Sequence, residues 1–522
     1  MIPDNYSPKL KISPAIFISS MMQYLIGLDI GTSSVKAVAF DLKRMAMVEK
    51  QIGYPLLNPS ATHFEQDPHV IFNAVTSAIR QVVRRMQERY PDHAIAAVSL
   101  SSAMHSLIAV DDGGGLLTNS IIWADNRSKP QADSLKKSPI GHAIYLKTGT
   151  PIHPMSPLCK LMWMKENDPA VFHRAYKFIS IKEFVCWKLF GHYVVDFSIA
   201  SATGLFNIFT LDWHGPSLSL LGITPDRLST PVPITHRLVG IEPTWAHEMG
   251  IGPSTPFIIG GSDGCLANVG ANAVRPGEAA LTIGTSGAIR VISDTPKSDK
   301  LERIFSYILT PEIYVLGGPV NNGGVILRWF KENFAAKEVE EAIQGKASVY
   351  DLLTAKAAEV PPGADGLLFL PYLLGERSPH WNSEAKGVFF GIQLGHKSAH
   401  FVRSIMEGII FGLYSVAIAL EETTGPVKVI HANGGFARSP LWVQILADVF
   451  NKKVVISESV ESAALGAAIV GMKALGLIED FSEVLTLPAN EAVFMPSLDN
   501  HHVYTERFAT FERLYEKLKD EF

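Results

Sequence analysis

Cysteine is nearly absent from this chain of 522 residues: Cys159, Cys186 and Cys265 stand far apart, with no CxxC pair. That excludes a disulfide framework and a thiolate zinc site, and it fits a reducing compartment, the cytoplasm. Long apolar runs are missing too, none approaching the roughly 20 residues that a membrane span needs. Charge of one sign is equally scarce. The 46 Lys and Arg against 51 Asp and Glu leave a formal net charge of −5, so no global field draws the chain to nucleic acid, anionic lipid or an anionic substrate. Any phosphate site must be made locally, by backbone amides and single cations. The opening segment MIPDNYSPKLKISPAIFISS has two lysines and a short apolar patch but no long h-region. Residues 1–22 read as a disordered leader, with Met21 or Met22 as alternative starts.

What is present describes a folded enzyme of two cores. Hydrophobic residues at 47% and charged ones at 19% are those of an ordinary globular protein. A chain of this length exceeds one core and suits two domains of roughly 200–250 residues. We expect a boundary near residue 272, giving domains 23–272 and 273–522.

The chain echoes itself. LDIGTSSVKAV from Leu28 returns half a chain later as LTIGTSGAIRV from Leu281. In both copies an apolar strand enters Gly-Thr-Ser (Gly31, Thr32, Ser33 and Gly284, Thr285, Ser286) and a second apolar strand leaves it, the pattern of a tight β-hairpin. Such turns offer backbone N–H groups and hydroxyls in a concave nest that binds phosphate oxygens without cationic side chains. A single copy is an ordinary hydrophilic turn, whereas two copies suggest paired domains facing one phosphate chain. Asp29 precedes the first turn where Thr282 precedes the second. A magnesium ion prefers one or two carboxylates plus phosphate oxygens, so Asp29 is the candidate metal ligand.

Between these turns the pattern alternates strand and helix. Strands are expected at 24–29, 35–40, 94–100 and 106–110, and a helix over HVIFNAVTSAIRQVVRRM with Val70, Ile71, Ala74, Val75 and Ile79 on its apolar positions. Asp67 and Pro68 read as N-cap and first-turn proline. In the second half, helices near 322–334, 398–421, 439–450 and 462–475 alternate with the strands VKVIHAN and KVVIS, so the class is α/β. In IIGGSDGCLAN an apolar strand ends in Gly260-Gly261 and delivers Asp263 to a tight turn. Cys265 beside it reads as a small buried filler, and His501-His502 as surface.

These motifs resemble the FGGY carbohydrate kinases from about Leu25 to Gly476. MSPLCKLMWMKEN at 155–167, with Lys160 and Trp163, looks like the family's first signature, and GVFFGIQLGHKSAHFVRSIME at 387–407 like its second. The resemblance implies a duplicated two-domain, actin-like (ribonuclease H-like) ATPase fold with a cleft between the domains, using ATP and Mg²⁺. It makes Asp263 the general base toward a substrate hydroxyl, a role suited to phosphoryl transfer. It places Gly324, Arg328, Gly435 and Ser439 at the nucleotide, and Met104, His105, Trp123, Asp125 and Arg127 at the substrate. Ala103 stands where pentulose kinases usually carry Gln, a departure that argues against a ketopentose. TGTPIHPMSP, NNGGVILRWF and LLGERSPHW are most similar to the gluconate kinases of the family, which implies conversion of D-gluconate to 6-phosphogluconate. Arg127 or Arg290 would then be the carboxylate partner, a planar guanidinium fork matching both oxygens. A xylulokinase or other polyol kinase is the alternative, and a non-catalytic actin-like nucleotide switch a further one. The expected partner is a small molecule, with neither nucleic acid nor membrane, and a homodimer is open.

Overall fold

The computed structural model describes residues 22–43, 45–345, 348–457, 462–486 and 491–522. The leader expected at 1–22 lies outside the described residues apart from Met22, which opens the first strand.

The first sheet is built by β1 (Met22–Ile30), β2 (Ser34–Asp41), β3 (Ala46–Gly53), β4 (His93–Ser102) and β5 (Phe257–Ser262), in the order β3-β2-β1-β4-β5, with the short strand Arg237–Leu238 antiparallel at the edge beyond β5. β1 and β2 form the expected hairpin, while β4 runs parallel to both β1 and β5. Helix α1 (Pro68–Arg89) covers this sheet. Its N-cap Asp67 accepts from His69 N at 2.8 Å, and Ile71, Ala74, Val75, Ile79 and Val82 are buried against the strands. Val70, expected on the apolar face, is instead exposed, because the buried stripe at helical spacing starts one residue later. Between β4 and β5 the chain makes a long excursion holding its own apolar cluster, with α2 (Pro157–Asn167) and α3 (Ile181–Phe190). It returns through β5 straight into α4 (Asp263–Gly270).

The second sheet repeats the plan. β6 (Glu278–Ile283), β7 (Gly287–Ser293), β8 (Phe305–Thr310), β9 (Ile313–Val320), β10 (Val429–Asn433), β11 (Lys453–Ser457) and β12 (Glu491–Phe494) lie in the order β8-β9-β7-β6-β10-β11-β12. The run β9-β7-β6-β10-β11 matches β3-β2-β1-β4-β5 in order and in strand direction. The echo read from Gly-Thr-Ser is thus an echo of whole sheets, and the fold is the duplicated, two-domain α/β arrangement of actin-like ATPases.

Among the helices of the second half, four position the site: α5 (Gly324–Phe334), α6 (Ser398–Thr424), α7 (Pro440–Phe450) and α8 (Ser462–Leu475). Helix α6 is long and apolar enough to cross a membrane, contrary to the expectation that no segment would be. It is the central helix of the larger core, packed under the second sheet with most of its length buried. Helix α8 turns back to the first sheet and crosses α4 so closely that a side chain on Gly466 would strike the carbonyl of Leu266. The helix that begins with Asp263 is therefore wedged between the two halves.

Candidate active site

Parallel strands of an open α/β sheet all end at one edge, and ligands collect outside that edge. Here Asp29 on β1 and Gly261 on β5 both stand level with Ser101 of the intervening β4. The first Gly-Thr-Ser turn and Asp263 therefore leave the sheet side by side. Gly260 makes the exit possible. Its φ is +61°, and a side chain there would run into the Leu100 carbonyl of β4. Beneath it the buried Lys182 donates to the carbonyls of Ile259 at 3.2 Å and Gly261 at 3.0 Å, and pairs with Asp196 at 2.5 Å. Asp196 also accepts from Ser198 Oγ, which in turn accepts from Ser262 N at 2.7 Å. This network fixes the residue immediately before Asp263.

A cavity of about 300 Å³ opens over that edge. The first half lines it with Thr32, Met104, His105, Trp123, Met155 and Asp263, and the second with the Gly284–Ala288 turn, Arg290, Phe305, Tyr307 and Arg377. Burial pushes the Asp263 carboxyl above the usual carboxylate range, against the pull of Arg290, the Gly264 N–H and Lys182. A carboxylate so placed is a better proton acceptor than one in water. His105 has φ +67° and is buried. Burial first, then Lys160, push its pKa down to about 3, so its ring is neutral. Nδ1 bonds the Ala202 carbonyl at 2.8 Å and therefore carries the proton, leaving Nε2 to accept from Tyr307 Oη at 3.4 Å or from a ligand.

A second cavity, of about 400 Å³, shares Gly284 with the first. Gly324, Leu327, Tyr350, Gly435, Phe436 and Ser439 line it. The symmetry of the sheets explains the placement: β4 runs into Met104-His105 at one cavity, and its counterpart β10 runs into Gly434-Gly435 at the other. The N-terminus of α5 abuts the turn between the cavities, Gly324 N donating to Gly284 O at 2.8 Å. The positive end of its dipole thus lies where the two cavities meet.

Six expected residues line neither cavity. Asp125 is fully enclosed, both oxygens occupied by Phe64 N at 2.7 Å, Arg127 N at 3.0 Å and the Arg127 side chain at 2.8 and 2.9 Å. Arg127 also bonds Glu65 at 2.5 Å and stacks on Trp163 at 5.0 Å. Neither lines either cavity; the pair clamps the loop that holds Trp123, their hydrogen-bonding capacity being spent on each other. Arg328 is exposed and Leu327 lines the second cavity in its place, since one residue along a helix turns the side chain by about 100°. Ser33 is exposed and does not line the cavity.

Gly31 and Asp29 lie just under the first turn without lining it. Asp29 Oδ1 accepts from Ser101 Oγ at 2.8 Å. Its Oδ2 lies 4.0 Å from where a side chain on Gly31 would begin. Among the described residues no group of three His, Cys, Asp or Glu gathers to hold a metal. The protein offers single carboxylates, a donor set suited to a magnesium ion carried by phosphates.

Arg377, Met155, Tyr307 and Phe305 were not anticipated as cavity residues. Met155 and Arg377 sit inside MSPLCK and LLGERSPHW, segments that had stood out, but nothing in the sequence gives their direction.

Comparison with known proteins agrees with this geometry. The profile of the FGGY family of carbohydrate kinases, N-terminal domain, matches residues 24–270, and that of the C-terminal domain residues 279–475. The chain is 46% identical over 503 residues to the gluconokinase of Bacillus subtilis (strain 168), covering 96% of this chain and 97% of that one. Among solved structures, gluconate kinase from Lactobacillus acidophilus matches with a TM-score of 0.89 at 37% identity, over 95% of this chain and 98% of that one. The ligand-bound xylulose kinase from Lactobacillus acidophilus matches with a TM-score of 0.90 at 37% identity, over 95% and 99%. The repeated Gly-Thr-Ser hairpins, a carboxylate at the joint edge and these likenesses lead to one conclusion: the chain belongs to the FGGY family of carbohydrate kinases.

Proposed function

We propose that this chain transfers the γ-phosphoryl group of ATP to a hydroxyl of D-gluconate, giving 6-phosphogluconate. The observation that carries the reaction is the pair of cavities joined at Gly284. One sets glycines and the apolar side chains of Leu327, Phe436 and Trp442, suited to a planar base, beside polar groups such as Asp351 and Ser439 that could meet a ribose. The other holds polar groups and a single carboxylate, so a phosphate chain threaded past Gly284-Thr285-Ser286 would present its last phosphorus to a hydroxyl beside Asp263.

In this arrangement Asp263 takes the hydroxyl proton as the oxygen attacks phosphorus, and the bond to the ADP oxygen breaks in line. His105 accepts a substrate hydroxyl hydrogen through Nε2. Asp29 fits the carboxylate partner of Mg²⁺, which when bound with ATP neutralises phosphate charge. Closure of the two halves about α4 and α8 excludes the water that would otherwise hydrolyse ATP.

The sugar acid is supported by 46% identity to a gluconokinase over nearly the whole chain. The second reading, D-xylulose, is favoured by Met104 and His105 lining the substrate cavity. A coupled ADP-release assay across gluconate, D-xylulose, L-ribulose and glycerol decides between them. Gluconate is expected to give the highest kcat/KM, and turnover of xylulose with none of gluconate would reverse the assignment.

A further inference from the structure

The substrate cavity contains two guanidinium groups that hydrogen-bond to no carboxylate among the described residues. Arg290 extends from β7, its stem seated over Gly317, where a side chain would meet Arg290 Cγ at 2.8 Å. Its head lies over the first turn of α4, with Nε 3.2 Å and Nη2 3.5 Å from the position a side chain on Gly264 would take. Nε and Nη1 are sealed from solvent and have no hydrogen-bond partner among the described residues, and Asp263 acts on the group only through its charge. Arg377 reaches the same cavity and lies 4.9 Å over the Trp123 ring. One of its nitrogens donates to Val320 O at 3.3 Å, and its Nε is buried and unpartnered. Its neighbour Glu376 offsets that charge only through space, without a hydrogen bond to the guanidinium. The Glu376 oxygens accept from Asn321 N at 2.5 Å, Asn322 Nδ2 at 3.1 Å and Arg377 N at 2.8 Å, so the carboxylate fixes the loop.

Buried donors without acceptors are costly, and a pair of them in one cavity implies an anion that completes them. Asp263 is the sole carboxylate on the cavity wall among the described residues, and the ring of His105 is neutral. Two cations against one anion leave the wall one positive charge in excess. An incoming carboxylate would balance it, whereas a neutral polyol would leave it uncompensated.

Two sources could supply the anion: the substrate or the γ-phosphate. The arginines sit with Met104, His105 and Trp123 and neither lines the second cavity, while the Gly284–Ser286 turn already offers amides and hydroxyls to phosphate. We infer that Arg290 and Arg377 form the carboxylate subsite that selects a sugar acid over a neutral sugar. Arg290 supplies the fork and Arg377 a second donor held against Trp123. This rests on the reading that the substrate is a sugar acid, and it excludes Arg127, whose fork is filled by Asp125 and Glu65.

The test compares D-gluconate with D-gluconamide, its uncharged isostere, by steady-state ADP release in the full-length protein and in Arg290→Gln, Arg377→Gln and Arg290→Lys, with thermal melts to verify folding. Charge-assisted pairs predict that the wild type prefers gluconate by roughly 10- to 100-fold or more in kcat/KM. Arg290→Gln should raise KM for gluconate by a similar factor and bring the preference near unity, Arg377→Gln should do so in part, and Arg290→Lys should fall between. Equal loss of kcat on both compounds would place the arginines on the transferred phosphate and overturn the inference, as would an unchanged KM for gluconate. If Arg290→Gln fails to fold, the wild type and Arg290→Lys still decide, because a wild type that uses gluconamide as well as gluconate contradicts a carboxylate subsite. A wild type inert toward gluconate but active on xylulose would overturn the sugar-acid reading and this subsite together, while gluconate turnover with intact KM in Arg290→Gln would overturn the subsite alone.

Discussion

The indole Nε1 of Trp123 donates to Oγ1 of Thr32 at 2.8 Å, tying the Trp123 loop to the first Gly-Thr-Ser turn. A residue of the proposed nucleotide side thus orients a residue of the proposed substrate side, and Arg377 stacks on the same indole. Removing this bond should disturb both ligands. We expect Trp123→Phe and Thr32→Val each to raise the KM of the sugar acid and of ATP by about 3- to 10-fold, the scale of one partly buried hydrogen bond. The double variant should be little worse than either single one, because both remove the same contact. Steady-state kinetics of the four proteins measure the coupling, and strictly additive losses would show that the contact is not what links the ligands.

The ion pair of Lys182 and Asp196 lies wholly inside the first half, under the strand that delivers Asp263. Lys182→Met would leave the Asp196 carboxylate buried and unpaired and two carbonyls of β5 without a donor, so a loss of about 3–5 kcal/mol in unfolding free energy is expected. Adding Asp196→Asn should recover part of it. Denaturant unfolding of the single and double variants checks both statements, and a single variant as stable as wild type would refute them.

Stability should fall in acid for an identifiable reason. Burial holds the pKa values of His105, His153 and His380 down at about 3. Between pH 6.5 and about 3 the unfolded chain therefore binds protons on these residues that the folded chain does not. Unfolding is favoured as pH falls through that window, and their contribution is flat above it. Glu376, pushed up by burial to about 7, acts in the opposite direction, since the folded state keeps a proton there that the unfolded chain releases. The informative quantity is consequently a difference: His380→Gln should lose less Tm than wild type between pH 6.5 and 5. Parallel Tm profiles would mean that His380 titrates normally in the folded protein.

Much of this was legible in the sequence because it is local. Gly-Thr-Ser between apolar runs located both hairpins, now Met22–Ile30 with Ser34–Asp41 and Glu278–Ile283 with Gly287–Ser293. Asp67-Pro68 located the start of α1, and Gly260-Gly261 foretold the exit that carries Asp263. What failed was side-chain direction, which depends on partners distant in sequence. Asp125 and Arg127 belong to a motif that reads as a substrate loop, yet Phe64 and Glu65 from another strand pair absorb their hydrogen bonds. Arg377 looked no different from any arginine in a loop, and only Trp123, some 250 residues earlier in the chain, turns it into the cavity. Arg328 was misplaced by one step around a helix, a difference that apolar spacing alone does not resolve.

The central claim is that Asp263 accepts the proton of the attacking hydroxyl. Asp263→Asn keeps the size and the hydrogen bonding of the side chain but removes its basicity, so gluconate-stimulated ADP release should fall by at least ~100-fold while gluconate binding by calorimetry stays within a few-fold of wild type. Release at near the wild-type rate would contradict the account.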